Sequence, residues 1–283
     1  MVKEKEIKAL IYLLDDPDMD IFKEIEHKLV TCGPEAVPLL ENSWESSFDP
    51  LAQNRIEDII HKIQYDQVKN ELQLWKLNNS DDLLEGLLIV NRYQYPNLNE
   101  EQVYFQLAEI RRNAWYHLMY EMSPVEQVKM LNNIIFREFG LSGNTTNYHD
   151  PQNSFIHKVL ESKKGNPISL ACIYALVAQK LDIPIYGVNL PKHFVLAYLN
   201  SEDPQKVDFY INVFNRGQIM REEDINSFLR QLNLPLSDQY ILPCDNVAII
   251  QRVLRNLMAA FEQVGNPEKR TEIEILLSLI EED

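Results

Sequence analysis

The sequence predicts an α+β protein in which one small, sheet-bearing module sits between two mostly helical regions. The first 140 residues carry apolar side chains at helical spacing, punctuated by proline and glycine breaks. Three later segments, Ile185 to Leu190, His193 to Leu199 and Val207 to Phe214, are rich in Val, Ile, Tyr and Phe and read as strands. After Gly217 the helical period returns, so the expected regions are 1–78, 79–217 and 218–283.

The helical start is legible segment by segment. Leu10, Leu13 and Leu14 close a first amphipathic helix, and Asp15-Asp16-Pro17-Asp18 breaks it. Ile21, Ile25, Leu29 and Val30 mark a second, which Gly33-Pro34 ends; Pro34 is tolerated in the first turn of the next. Val37, Leu39, Leu40 and Trp44 line that next helix, and Ser47-Phe48-Asp49-Pro50 interrupts again. Glu24-Ile25-Glu26-His27-Lys28-Leu29 matches Asp58-Ile59-Ile60-His61-Lys62-Ile63 at an offset of 34 residues. Two stacked helical hairpins would bury faces that neither buries alone, so this stretch resembles a HEAT-type repeat pair; an irregular helical bundle is the alternative.

Further helices are expected at about 67–77, 81–93, 100–121 and 124–139, with Ser80 and Ser123 as N-caps and Gly140 as a C-terminal stop. The Tyr and Trp residues of this helical part read as core. Beyond the strands, Ile225, Phe228, Leu229 and Leu232 share a helix face. Two helices, 249–264 and 267–280, then flank Gly265-Asn266 and resemble one tetratricopeptide-like unit.

Composition narrows the function. Forty-three acidic against 27 basic residues give a formal charge of −16, and the basic pairs Arg111-Arg112 and Lys163-Lys164 are isolated. Such a surface repels phosphate backbones, so nucleic-acid binding is not expected. No apolar run approaches a membrane span, and the first residues lack the apolar stretch of a signal peptide, so a cytoplasmic protein without membrane contact is expected. Cys32, Cys172 and Cys244 are widely spaced and form neither a disulfide framework nor a zinc pattern. His27, His61, His117, His149 and His157 show no metal-ligand spacing; neither metal nor cofactor is expected.

The most informative stretch is the helix after Gly165. Gly165-Asn166-Pro167 supplies a turn, an Asn N-cap and a Pro at the first helical position. The nearly all-apolar run Ile168 to Ala178 then reads as a buried helix ending at Leu181-Asp182-Ile183-Pro184. Four motifs follow one another in order. They are Asp150-Pro151-Gln152-Asn153-Ser154, Gly165-Asn166-Pro167-Ile168-Ser169, Pro191-Lys192-His193-Phe194 and Phe214-Asn215-Arg216-Gly217. This order resembles a short bacterial branch of the transglutaminase-like superfamily.

The resemblance implies a papain-like α+β module with a small antiparallel sheet and a Cys-His-Asp triad. Carried over by position, the nucleophile falls on Pro167, the base on His193 and the third member on Asn212. Asn212 could still orient an imidazole, as in Cys-His-Asn sites, but without a negative charge. Pro167 has no nucleophile, and covalent catalysis needs one beside a base. The triad thus reads Pro-His-Asn, with His193 and Asn212 expected on adjacent antiparallel strands and meeting beside Asn166-Pro167. Asn166, Ser169 and Lys192 would line the cleft. Cys172 is the only thiol on this helix. It lies about 140° around the axis from Pro167 and beyond the field of the first turn, as a packing cysteine would.

The favoured reading is a non-catalytic protein- or peptide-binding adaptor or regulatory scaffold, helical repeats being suited to such surfaces. A cysteine hydrolase or acyltransferase using Cys172 with His193, and a small-molecule pocket around Asn166, His193 and Asn212, stand as alternatives.

Overall fold

The computed structural model describes residues 2–235 and 237–281. The chain divides into two compact units, Met1–Glu71 and Leu72–Asp283. No helix among the described residues is long and apolar enough to cross a membrane.

The first unit is helical. It contains α1 (Val2–Tyr12), α2 (Met19–Cys32), α3 (Val37–Ser46) and the larger part of α4 (Pro50–Asn78). Asp18 caps α2 by accepting from the backbone N–H of Asp20 at 2.8 Å. Gly33, at φ 68°, ends α2 in a conformation that costs glycine nothing, and a single 3₁₀ turn leads into α3. Ile25 and Leu29 of α2 share one core with Ile59 and Ile63 of α4, so both matched segments supply the same apolar cluster. The buried guanidinium of Arg55 donates to the carbonyls of Leu14 and Asp16, both at 2.7 Å, and stacks on Phe22. The separate helix expected at 67–77 is instead the continuation of α4. That helix runs for 29 residues because neither Gly nor Pro interrupts it after Pro50.

The second unit begins with the end of α4 and holds α5 (Leu83–Gln94), α6 (Glu100–His117) and α7 (Pro124–Asn132). Asp82, not Ser80, caps α5, accepting from the Glu85 N–H at 3.1 Å. Helix α6 stops at His117, short of the expected Glu121. At the start of α7 the Glu126 carboxylate accepts from both the N–H and the hydroxyl of Ser123, and a π-helical turn (Asn133–Glu138) carries the chain to Gly140.

A two-residue strand β1 (Ser142–Gly143) pairs in parallel with β2 (Lys164–Gly165), on either side of α8 (Ile156–Ser162). The buried helix α9 (Pro167–Gln179) follows, then an antiparallel sheet in the order β3 (Ile185–Val188), β4 (Val195–Leu199), β5 (Val207–Asn212), β6 (Gln218–Met220). Residues 200–206 form the β4–β5 link, closed by the Asn200 N–H on the Lys206 carbonyl at 2.9 Å.

The sheet is covered on both faces, and alternation assigns each residue to a face. Val195, Ala197 and Tyr210 pack with Ile225 and Leu229 of α10 (Glu222–Gln231). Leu196, Tyr198 and Ile211 fall on the other face, toward α9. There the Tyr198 hydroxyl donates to Gln127 of α7 at 2.7 Å. After a short helix α11 (Asp238–Ile241), α12 (Asn246–Gln263) and α13 (Pro267–Glu281) form a helical pair joined at Gly265. Helix α12 packs on α5, α9 and the turn at Pro151–Ser154. At Gly86 of α5 a Cβ would lie 2.7 Å from the Trp75 ring of α4 and 3.0 Å from Ile250 Cγ1 of α12.

Candidate functional site

The N-terminus of α9 is assembled from three separate stretches of chain. Gly165 is tightly enclosed: a Cβ would meet Ser169 Oγ at 2.6 Å and Val159 Cγ1 at 2.8 Å, so both side chains would have to shift. Asn166 accepts from the Ser169 N–H at 2.9 Å, and Ser169 Oγ accepts in return from the Asn166 N–H at 3.1 Å. This reciprocal pair satisfies backbone donors that a helix start otherwise leaves open. The Asn166 amide also donates to Ser154 Oγ at 2.8 Å. Asn153 donates to the carbonyls of Asn147 and Tyr148 at 2.7 and 3.1 Å and accepts from Asn144 at 2.9 Å. Asn153, Ser154, Asn166 and Ser169 are all buried.

The network is closed upon itself. Among the described residues the one buried side-chain N or O atom without a partner is Asn226 Oδ1, which belongs to α10. Pro167, which lacks an N–H, occupies the first position of α9. The place where the resemblance puts a nucleophile is therefore a capped helix start without a thiol, and each buried side-chain N or O atom described there has a hydrogen-bond partner.

No hydrogen bond ties the other two triad positions to this helix start among the described residues. His193 precedes β4 instead of starting it. Pro191 and Lys192, the latter at φ 60°, form a turn closed by the His193 N–H on the Leu190 carbonyl at 3.0 Å. The exposed imidazole lies 4.8 Å from the Phe228 ring of α10. Partial burial, and then the Arg252 guanidinium, lower its pKa. Asn212 ends β5 and turns to its own backbone, accepting from the Asn215 N–H at 3.2 Å. Leu196 stands opposite Ile211, so Asn212 falls next in register to Val195, not to His193. No hydrogen bond joins His193 to Asn212 among the described residues. Strand β4 begins at Val195, two residues later than the apolar pattern of His193 to Leu199 implied. Lys192 is exposed on the same turn.

Cys172 sits in the second turn of α9 at 2 % exposure. Burial, and then the neighbouring Cys244, push its thiol pKa far above the usual range, the reverse of what a nucleophile needs. Its sulfur has no hydrogen bond to His193. Among the described residues no group of three or more His, Cys, Asp or Glu is placed to hold a metal ion.

Several organising residues escape sequence reading. Asn132 accepts from the buried Tyr174 hydroxyl at 3.1 Å and donates to the Gly217 carbonyl at 2.8 Å, tying α7 to the end of the sheet module. Phe214 lies against Gly143, where a Cβ would approach its ring to 2.4 Å, and meets Tyr148 edge-on. Nothing in the local sequence announces Asn132. The motifs containing Asn153 and Phe214 were visible, but not their partners. The exposed aromatics of α6 contradict the expectation that the Tyr and Trp residues are core: Trp75 is buried, whereas Tyr104, Trp115 and Tyr116 are exposed.

Comparison with known proteins agrees with this architecture. The family model described as "Transglutaminase-like superfamily" matches residues 101–255. A UPF0162 protein of Xylella fastidiosa is 33% identical over 208 residues, covering 67% of this chain and 70% of the relative. A UPF0162 protein of Vibrio cholerae is 30% identical, covering 63% of this chain and 66% of the relative. F-box only protein 21 of Mus musculus is 28% identical over 61% of this chain but only 32% of its own length. No solved structure matches the chain. The family model spans more than half of the 283 residues and the sheet, buried helix and motif order lie within it, so the chain belongs to the transglutaminase-like superfamily.

Proposed function

We propose that this chain is a non-catalytic member of its superfamily whose module serves as a protein- or peptide-binding adaptor or regulatory scaffold. The observation that carries the proposal is the closed polar network around Pro167. Asn166, Ser169, Ser154 and Asn153 use their side chains to hold the start of α9 to the neighbouring turns. The motif residues here have an architectural task that needs no substrate. Covalent acyl transfer requires a nucleophile in reach of a base, and the position carried over for it is proline.

The rival assignment, Cys172 as nucleophile with His193 as base, is weakened by burial and direction. The thiol is enclosed on an apolar helix, while the imidazole packs toward α10. The test is to incubate the full chain with a glutamine-bearing peptide and a fluorescent primary amine, and in parallel with chromogenic amide and ester substrates. The proposal expects no turnover above a heat-denatured control. Turnover abolished by Cys172→Ser or His193→Ala would overturn it. Affinity capture with wild-type chain and a Lys192→Glu variant then asks whether the mouth of the module contributes to partner binding.

A further inference from the structure

Helix α6 departs from the pattern of a surface helix. Val103, Leu107, Ile110 and Ala114 face the core, so the opposite side should be polar. Instead it carries Tyr104 at 46%, Phe105 at 63% and Trp115 at 68% exposure. These side chains border two adjoining depressions between α6 and the C-terminal end of α9. One, of about 740 Å³, is lined by Phe105, Trp115 and Leu118; the other, of about 330 Å³, by Tyr104, Leu176 and Val177. Ala108, Arg111 and Lys180 are common to both walls.

The charges of this groove are unevenly used. Arg112 has Glu109 at 3.9 Å, and Asp82 is committed as the cap of α5. Arg111 and Lys180 have no carboxylate within ion-pair distance among the described residues, although the chain carries a net charge of −16. Exposed aromatic side chains beside unpaired guanidinium and ammonium groups are the composition of a protein-binding hot spot.

We infer that the α6–α9 groove binds a short acidic segment of a partner protein, seating a large apolar side chain between Phe105 and Trp115 and a carboxylate on Arg111 and Lys180. From Tyr104 to Trp115 the helix rises about 17 Å, which about five residues of extended peptide would span. At physiological ionic strength fields fade within about 8 Å, so a short segment responds to the local cations more than to the acidity of the whole molecule. A nucleic acid fits less well, since two isolated cations neutralise little of a continuous phosphate backbone, whereas a single carboxylate needs no more. The groove lies at the far end of α9 from Pro167, so the inference does not depend on whether the module is catalytic.

The test is to pan a library of random twelve-residue peptides displayed on phage against the full chain, then measure the enriched peptides by fluorescence anisotropy in 150 mM salt. The expected result is enrichment of Asp or Glu within three residues of Leu, Phe or Trp. Affinity should fall at least tenfold on Arg111→Glu/Lys180→Glu and on Trp115→Ala, and stay unchanged on Lys206→Glu in the β4–β5 link. Both sets of residues are exposed, so thermal unfolding should confirm intact variants. Failure of any peptide to enrich, or enriched peptides indifferent to both groove variants, would overturn the inference. So would binding of a single-stranded RNA oligonucleotide, or a dimer in sedimentation equilibrium, abolished by Arg111→Glu/Lys180→Glu. Peptides that bind elsewhere would remove the groove while leaving a binding role for the chain.

Discussion

The two ends of α9 are built on opposite principles. At the N-terminal end, a proline and a set of buried Asn and Ser side chains satisfy one another. At the C-terminal end, Arg111 and Lys180 face solvent beside uncovered aromatic rings. A helix start normally offers donors and a positive field to a substrate or thiolate. Here the Ser169 N–H is already taken by Asn166, while charged and aromatic groups stand exposed at the other end.

The comparison breaks first where packing is tightest. Gly165→Ala should cost about 3 kcal/mol, because the new methyl would enter space held by Ser169 and Val159. Asn166→Ala should cost about 2–3 kcal/mol, since it removes the cap and leaves Ser154 and Ser169 short of partners. Urea unfolding measures both, and a loss under 1 kcal/mol for either would show that the network does not organise the module.

Acid should find a second buried position. His157 is 5% exposed, and its Nδ1 lies 2.5 Å from Asn91 Oδ1, so the ring is the donor there. Burial, and then Lys158, lower its pKa from 6.5 to about 4. The unfolded chain takes up a proton below pH 6.5 while the folded chain does not until about pH 4. The contribution of this histidine is therefore complete above 6.5 and is lost as pH falls toward 4. Its slope is at most about 1.4 kcal/mol per pH unit. His157→Gln should flatten the stability profile in that window, and an unchanged profile would contradict the assignment.

Smaller effects sharpen the contrast. Pro167→Cys should cost about 0.5–1 kcal/mol by freeing the turn, and should create a thiol that reagents modify without conferring amide transfer. Robust turnover by this single variant would show that one residue separates the chain from catalysis. Trp115→Ala and Phe105→Ser should change stability by less than about 0.5 kcal/mol, because these side chains are exposed. A large loss would mean that the α6 aromatics support the fold.

Much of the element order was legible because long segments were strongly periodic and their stops carried Gly or Pro. Gly33, Gly140 and Gly265 all end helical stretches at positive φ. Short pairings were not legible: β1, β2 and β6 have two or three residues and no periodicity to read. His193 shows why the candidate site was only partly readable. Its apolar neighbours suggested a strand, but the turn at Pro191-Lys192 delays β4 and sends the ring to the α10 face. The Asn-Ser network could be seen as motifs but not as a network, since its members come from three separate stretches of chain. Residue type alone places the α6 aromatics in the core, whereas their helical phase puts them off the Val103–Leu107–Ile110 face.

The central claim, that this member of the superfamily has no working nucleophile, is tested most directly by site-resolved alkylation. The folded chain is treated with iodoacetamide, and modification of Cys32, Cys172 and Cys244 is followed by mass spectrometry alongside the amine-incorporation assay. The account predicts that Cys172 reacts only on unfolding, more slowly than the partly exposed Cys32 and Cys244, and that no amine is incorporated. Rapid alkylation of Cys172 in the folded chain, with parallel loss of a measurable transfer or hydrolysis activity, would contradict it.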